Sequence, residues 1–304
     1  MPEAIPSTFF TAPPHWGWLI VWYFFLGGLA GGAAFIAAIL ELIGRPGDRP
    51  LVRVAYYIAF PAMVISTLLL IVDLGRPERF WHMIVQSQTW RPMLKSWSPI
   101  SFGAWLVGLF TIFTFVGFVR ALVDEGYLRW PWLVDALRSF PGALFAVLSG
   151  LLGLWVAGYT GVLLAVSNRP IWADTSYMGA LFLLSGASTA AAALILAGHA
   201  MRPVPDATVH RLERLDVGMM LLELLALVAL VFSLGVVARV WLSWWGVLLV
   251  VGVVLAGILV PLALHARPRR FRPVSVTAAV LVLIGGFLLR VVMVLSSEGI
   301  PYGG

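Results

Sequence analysis

Residues 56–83 read YYIAFPAMVISTLLLIVDLGRPERFWHM. The run from Tyr56 to Val72 carries no charge, and it ends abruptly in Asp73, with Arg76 three residues later. A transmembrane helix needs about 20 mostly apolar residues to cross the hydrocarbon. Extended back to Leu51, this stretch meets that length and predicts a span over 51–74. The next residues, LGRPER, form a turn signal rich in Gly, Pro and charge. A plain connecting turn needs no carboxylate at the mouth of an apolar helix, so Asp73 and Arg76 require a reason of their own.

The rest of the sequence repeats the pattern. Of 304 residues, 61% are hydrophobic and only 11% charged, against about 25% charged in a soluble domain. Eight apolar runs of spanning length occur, over 16–44, 51–74, 97–121, 141–167, 173–200, 208–238, 243–264 and 273–297. GRPGDRP, LGRPER, SNRPIW, MRPVPD and ARPRRFRP punctuate them. The break between the sixth and seventh runs rests on Arg239 and the WLSWW segment. The expectation is an all-α polytopic membrane protein: one domain over 1–304, eight transmembrane helices in a bundle. The first residues, MPEAIPSTFF, lack the basic region of a cleaved leader, so the first run is expected to be a permanent span.

An even number of spans puts both termini on one face. The opposite face then collects 13 of the 20 basic residues, among them Arg45, Arg49, Arg53, Arg120, Arg138, Arg202, Arg267, Arg269 and Arg270. Six fall on the terminal face, and Arg290 lies inside the last span. The positive-inside rule makes the arginine-rich face cytoplasmic and the termini extracytoplasmic. The pI near 10.2 thus reflects loop orientation, with no nucleic-acid partner implied. Trp16, Trp18, Trp22, Trp81, Trp90, Trp97 and Trp172 fall near the outer face, as interfacial aromatics do.

Ionisable groups within a span are costly and mark function or a buried pair. Glu223 sits mid-way along the sixth span, and Asp216 two turns earlier on the same face. Glu41 lies near the inner end of the first span. Asp216, Glu223 and Glu41 form a candidate proton pathway; a structural Glu–Arg pair with Arg290 is the competing reading. His15, His82, His199, His210 and His265 all fall at span ends or in loops. A bundle haem needs histidines at matching depth, so no haem is expected, and no spacing suggests a metal site. With no cysteine in the sequence, disulfides and thiolate-held clusters are excluded here. The glycines of FLGGLAGG form small-xxx-small pairs suited to close helix approach.

HWGWLIVWYFFLGGLAGG, VDLGRPERFWHM, YTGVLLAVSNRPIW and RLERLDVGMMLLELL together resemble the NrfD-like family, the membrane subunits of polysulfide reductase and related respiratory enzymes. The resemblance runs from about residue 15 to 240. It implies a haem-free, eight-helix, quinone-reactive anchor in a bacterial or archaeal cell membrane. Its partners would be an extracytoplasmic four-cluster iron–sulfur subunit and a molybdopterin catalytic subunit beyond. The substrate would be a quinone, menaquinone or ubiquinone, bound near the outer face.

Quinone chemistry gives the opening carboxylate a purpose. A two-electron quinone reaction moves two protons, and an apolar cleft alone cannot carry them. Asp73 is expected to exchange a proton near the head group, with Tyr159 bonding a quinone oxygen. His15, Trp16, Arg76, Arg169 and Trp172 are expected to form the quinone-binding rim and the partner-facing surface. For Asp73 the plain alternative is a helix cap or a salt bridge to Arg76. Two other functions compete: a proton-coupled secondary transporter using Glu223 and Asp216, and an assembly factor with no ligand. Neighbouring genes for an iron–sulfur and a molybdopterin protein would favour the anchor.

Overall fold

The structure, a computed structural model, describes residues 14–137, 139–201, 204–266 and 272–299, except for the side chains of residues 139, 298 and 299. Arg138, Arg202, Arg267, Arg269, Arg270 and the N-terminal MPEAIPSTFF lie outside the described residues. Among the described residues, eight helices are long and apolar enough to cross a membrane. They are α1 (Trp18–Ile43), α2 (Arg49–Asp73), α3 (Pro99–Asp124), α4 (Ser139–Ala165), α5 (Met178–Ala200), α6 (Asp206–Leu234), α7 (Trp244–His265) and α8 (Arg272–Leu295). Together they make an all-helical, multi-pass membrane protein, with spans within a few residues of those predicted. Leaving α7 aside, they run 23–29 residues, or about 34–44 Å at 1.5 Å per residue.

Helix ends follow local chemistry. Ser98 caps α3 by accepting the Ser101 amide at 3.3 Å, and Pro99 takes the first helical position, where its missing N–H costs nothing. Past α2, Gly75 adopts φ +69°, the left-handed geometry that closes a helix. The break between α6 and α7 comes at Gly235, φ +52°, earlier than Arg239. A 3₁₀ segment, Gly235–Trp241, then buries Trp241 before Ser243 caps the next helix. Within α7, Leu248–Leu259 is wound as a π-helix, a rare geometry otherwise found as single-turn bulges.

The packing divides into two four-helix bundles. In the first, α1 touches α2, α2 touches α3, α3 touches α4, and α4 returns to α1. In the second, α5 packs on α6 and α8, and α8 on α7. The seam is α1 against α5, with α4 against α5 and α8 against α1. Glycine makes this seam close. A Cβ built on Gly32 would lie 2.4 Å from the Gly186 carbonyl oxygen across it, and inside the first bundle one on Gly31 would lie 2.3 Å from that of Gly153. The span-one glycines therefore serve packing, as small residues do between membrane helices.

A second clamp joins the bundles at the end away from Trp16 and Trp172. Asp48, fully buried in the α1–α2 turn, accepts the Arg45 amide at 2.7 Å, the Thr208 hydroxyl, and Arg211 at 2.8 Å. Thr208 and Arg211 belong to the first turns of α6, so one carboxylate ties the turn of one bundle to a helix of the other. At the opposite end, Arg169 reaches both His15 and Ser297, which brings the two ends of the described residues together.

Candidate functional site

The α4–α5 connection carries the SNRPIW segment, and its backbone is strained. Ile171, a buried β-branched residue, sits at φ +72° with its amide on Asp174 Oδ2 at 3.0 Å. A β-branched side chain at positive φ is a genuine outlier, held only where its surroundings demand it. The result is that Arg169 and Trp172 both turn inward, at 1% and 0% exposure. The Trp172 indole N–H donates to the Met293 carbonyl at 2.7 Å, and Trp16 stacks on its ring at 5.1 Å. The Arg169 guanidinium lies over the same ring at 5.4 Å and donates to His15 Nδ1 at 3.0 Å.

Four of the predicted rim residues are thus brought together, though not as a flat surface. His15 is exposed and Trp16 half-buried, while Arg169 and Trp172 lie beneath them inside the seam. Burial removes Arg169 and Trp172 from the partner-facing surface expected of them, because their polar groups are spent on α8 and on His15. An aromatic file continues inward. Trp16 meets Phe24 edge-on, Phe24 packs on Tyr23 at 5.1 Å, and the Tyr23 ring is fully buried with no partner for its hydroxyl among the described residues.

Tyr159 stands near the same end, on α4. Its hydroxyl donates to the Pro99 carbonyl at 2.8 Å, and Gly103 leaves it the room: a Cβ there would lie 1.9 Å from the Tyr159 oxygen. Beside it opens a cleft of about 570 Å³ between α3 and α4, walled by Trp97, Phe102, Leu106, Leu154, Trp155 and Leu183 among others. A mostly apolar cavity of this size with one placed polar group suits a small organic ring.

Asp73 is half-buried at the end of α2 and does not line that cleft. Among the described residues its carboxylate has no hydrogen bond and no ion pair, and Arg76 is exposed. Neither the cap nor the salt bridge is formed; Gly75 ends the helix instead. Beyond it the backbone makes an ordered hairpin. The Met93 amide donates to the Ile84 carbonyl at 2.8 Å, and the rings of Trp81 and Trp90 stack at 5.7 Å. Trp90 and Trp97 are 74% and 80% exposed beside Arg91 and Lys95.

The buried carboxylates of α6 organise the second bundle. Asp216 and Glu223 both face its interior, and Glu213, which sequence reasoning missed, joins them. Glu213 accepts the Ser275 hydroxyl at 2.6 Å and lies 3.0 Å from half-exposed His210. Ser188 donates to Asp216 at 2.7 Å, and His265 Nε2 stands 3.8 Å from the other Asp216 oxygen. His265, at the end of its span, is 4% exposed.

Glu223 and Arg290 form no direct ion pair among the described residues. The Arg290 guanidinium donates instead to the Ser185 hydroxyl on α5. Arg290 is fully buried, donates to the Gly286 carbonyl at 2.8 Å and lies over the Phe182 ring at 5.2 Å. Polar groups therefore run from His210 at one end of α6 to Arg290 deep in the bundle.

Glu41 stands apart from this file: it pairs with Arg120 in the first bundle. The spacing Glu213–Asp216 is i, i+3, the same face as Glu223, and was legible in RLERLDVGMMLLELL. The partner serines on α5 and α8 carried no comparable signal.

Helix α1 separates the two polar regions. A Cβ on Gly28 would lie 3.2 Å from Arg290, whereas one on Gly27 would lie 3.3 Å from Ser66, which bonds the Tyr23 carbonyl at 3.0 Å. Successive glycines thus face the second bundle's cation and the first bundle's hydroxyls.

Comparison with known proteins gives one consistent match. The family described as Polysulphide reductase, NrfD covers residues 7–300. Protein NrfD of Escherichia coli (strain K12) is 27% identical over 91% of this sequence and 92% of its own length. The C chain of polysulfide reductase from Wolinella succinogenes is 27% identical over 60% of this sequence and 58% of its own. The Protein NrfD homolog of Haemophilus influenzae is 25% identical over 94% and 95%.

Proposed function

Because this protein belongs to the NrfD family of polysulphide reductase proteins, we propose that it is the quinone-reactive membrane subunit of a respiratory reductase. It exchanges electrons between the membrane quinone pool and an extracytoplasmic iron–sulfur subunit, with a molybdopterin catalytic subunit beyond. The relatives include the C chain of a polysulfide reductase and the C subunit of a selenate reductase, names that belong to multi-subunit enzymes. The sequence holds no cysteine, so thiolate-held clusters on the electron path reside in partners.

The observation that carries this reading is the apolar cleft with Tyr159 at its polar end. Its walls take a quinone ring, and its lipid-side residues Trp155 and Val162 leave a way in for a lipid-soluble carrier. Oxidation of a quinol releases two electrons and two protons. The Tyr159 hydroxyl already donates to Pro99, so its lone pairs accept a quinol O–H and orient the ring. Asp73 does not line the cleft; its unengaged carboxylate near the same end of the bundle takes the two protons in turn through water and releases each to the outside, while the two electrons leave to the iron–sulfur partner. Trp90, Trp97, Arg91 and Lys95 offer the partner an exposed aromatic and basic surface, the composition favoured at interfaces.

The termini, Asp73 and the hairpin face outward in this reading, on the strength of the arginine count. The α6 file, His210, Glu213, Asp216 and Glu223, is the inward proton route. A secondary transporter predicts a substrate cavity beside its coupling carboxylates. Among the described residues, the cleft beside Tyr159 and a second cavity of about 590 Å³ are lined by neither Asp216 nor Glu223, so neither of these two is such a cavity. The test is quinol oxidation by the purified assembly, wild type against Tyr159→Phe and Asp73→Asn. Full turnover in both, in correctly inserted protein, removes the site.

A further inference from the structure

At the end of the first bundle away from Trp16 and Trp172, its four helices part around a cavity of about 590 Å³. Four guanidinium groups line it, Arg45, Arg49, Arg53 and Arg120, against the carboxylates of Glu41 and Asp124. Two are committed. Arg120 pairs with Glu41, and Arg53 approaches Glu125 at 3.4 Å. Arg45 and Arg49 are exposed, and their side chains have no carboxylate partner among the described residues. Asp124 is exposed too, and its carboxylate has no partner among the described residues. The cavity therefore presents two unpaired cations, one unpaired carboxylate, and walls of Leu40, Val52 and Leu137.

The depth is set independently. Tyr127, Trp130 and Trp132 are 75%, 49% and 64% exposed in the connection between α3 and α4. Aromatics of this kind sit at headgroup level. Basic pockets between membrane helices bind lipid phosphates. A loose set of surface arginines would explain the charge alone. It would not explain a cleft between four helices that sets an unpaired carboxylate among the arginines.

We propose that this cavity holds a phospholipid headgroup. Its phosphodiester lies on Arg45 and Arg49, and its amine or hydroxyl donates to the Asp124 carboxylate that lines the same cavity, with acyl chains running over Leu42 and Ile43, 44% and 79% exposed. The site asks for two features at once, a phosphate and a headgroup donor. Phosphatidylethanolamine and phosphatidylglycerol have both; phosphatidylcholine, with a quaternary ammonium, lacks the donor.

The test is native mass spectrometry on the delipidated protein in its assembly, with each lipid added at equal concentration. One phosphatidylethanolamine or phosphatidylglycerol is expected to remain per protein, held about tenfold or more above phosphatidylcholine. An R45Q/R49Q pair is expected to lose that lipid about tenfold or more, and an R45K/R49K pair, which keeps the charge, to retain it. Equal retention of phosphatidylcholine would overturn the proposal, as would wild-type retention by the glutamine pair. Loss in the lysine and glutamine pairs alike would also count against it. Displacement of the lipid by inorganic phosphate at matched concentration would overturn it too, showing a site for a free anion instead.

Discussion

Tyr159→Phe is the sharpest perturbation of the proposed site, since it removes one oxygen and leaves the cleft's shape. That oxygen now donates to the Pro99 carbonyl at 2.8 Å. Losing a neutral hydrogen bond of this kind costs about 0.5–1.5 kcal/mol. The same range applies to the bond Tyr159 makes to a quinol oxygen, and at 1.4 kcal/mol per decade it corresponds to about a two- to twelvefold fall in kcat/KM. A companion, Gly103→Ala, alters no chemistry. Its Cβ would lie 1.9 Å from the Tyr159 oxygen, so the ring must swing away from Pro99 and from the ligand. Both variants are assayed in the assembled complex by quinol oxidation, normalised to the amount of inserted protein. Activity should fall in both, and further in Gly103→Ala, where the displaced ring also narrows the cleft. Wild-type kcat/KM in both variants refutes the site, because then neither the hydroxyl nor its position matters to the substrate.

The remaining expectations are more local. Asp73→Asn should lower turnover about a hundredfold while leaving quinone affinity intact, the signature of a lost proton acceptor; steady-state kcat and KM measured separately check it. Glu223→Gln should leave quinol oxidation running but abolish proton movement in sealed vesicles, and unchanged proton uptake would make Glu223 a packing residue. Gly32→Ala should destabilise the seam by about 1–3 kcal/mol, since its Cβ meets the Gly186 carbonyl at 2.4 Å; thermal unfolding in detergent reads this. Asp48→Ala should cost about 1.5–3 kcal/mol by releasing Arg211 and Thr208 from the α1–α2 turn, measured by the same melt.

The spans were legible because the bilayer imposes length and apolarity on each helix alone. Gly235 shows the limit. Nothing apolar changes at the end of α6, so the break depends on a backbone angle rather than on composition. Asp216 and Glu223 stood out for the same reason the spans did, as charges in an apolar run. Ser188 beside Asp216 did not, nor did Ser185 beside Arg290 or Ser275 beside Glu213, because a serine on a membrane helix gains meaning only from what faces it across the bundle. Arg169 and Trp172 were found through their motif, yet their burial follows from the strained turn at Ile171, which no local pattern announces. The clustering of His15 with Arg169 is a contact over 154 positions, set by how α1 docks between the bundles.

Glu223 lies 17 residues after the start of α6 and 11 before its end, beside a guanidinium fixed in the hydrocarbon. An elementary charge crossing the whole bilayer gains or loses about 2.3 kcal/mol per 100 mV. A proton arriving at this depth traverses roughly half of that drop, so about 1 kcal/mol per 100 mV acts on its occupancy. On the proposed α6 proton route, energising the membrane would shift how often this carboxyl is charged, and the helix bundle would respond to voltage without any gating segment of its own.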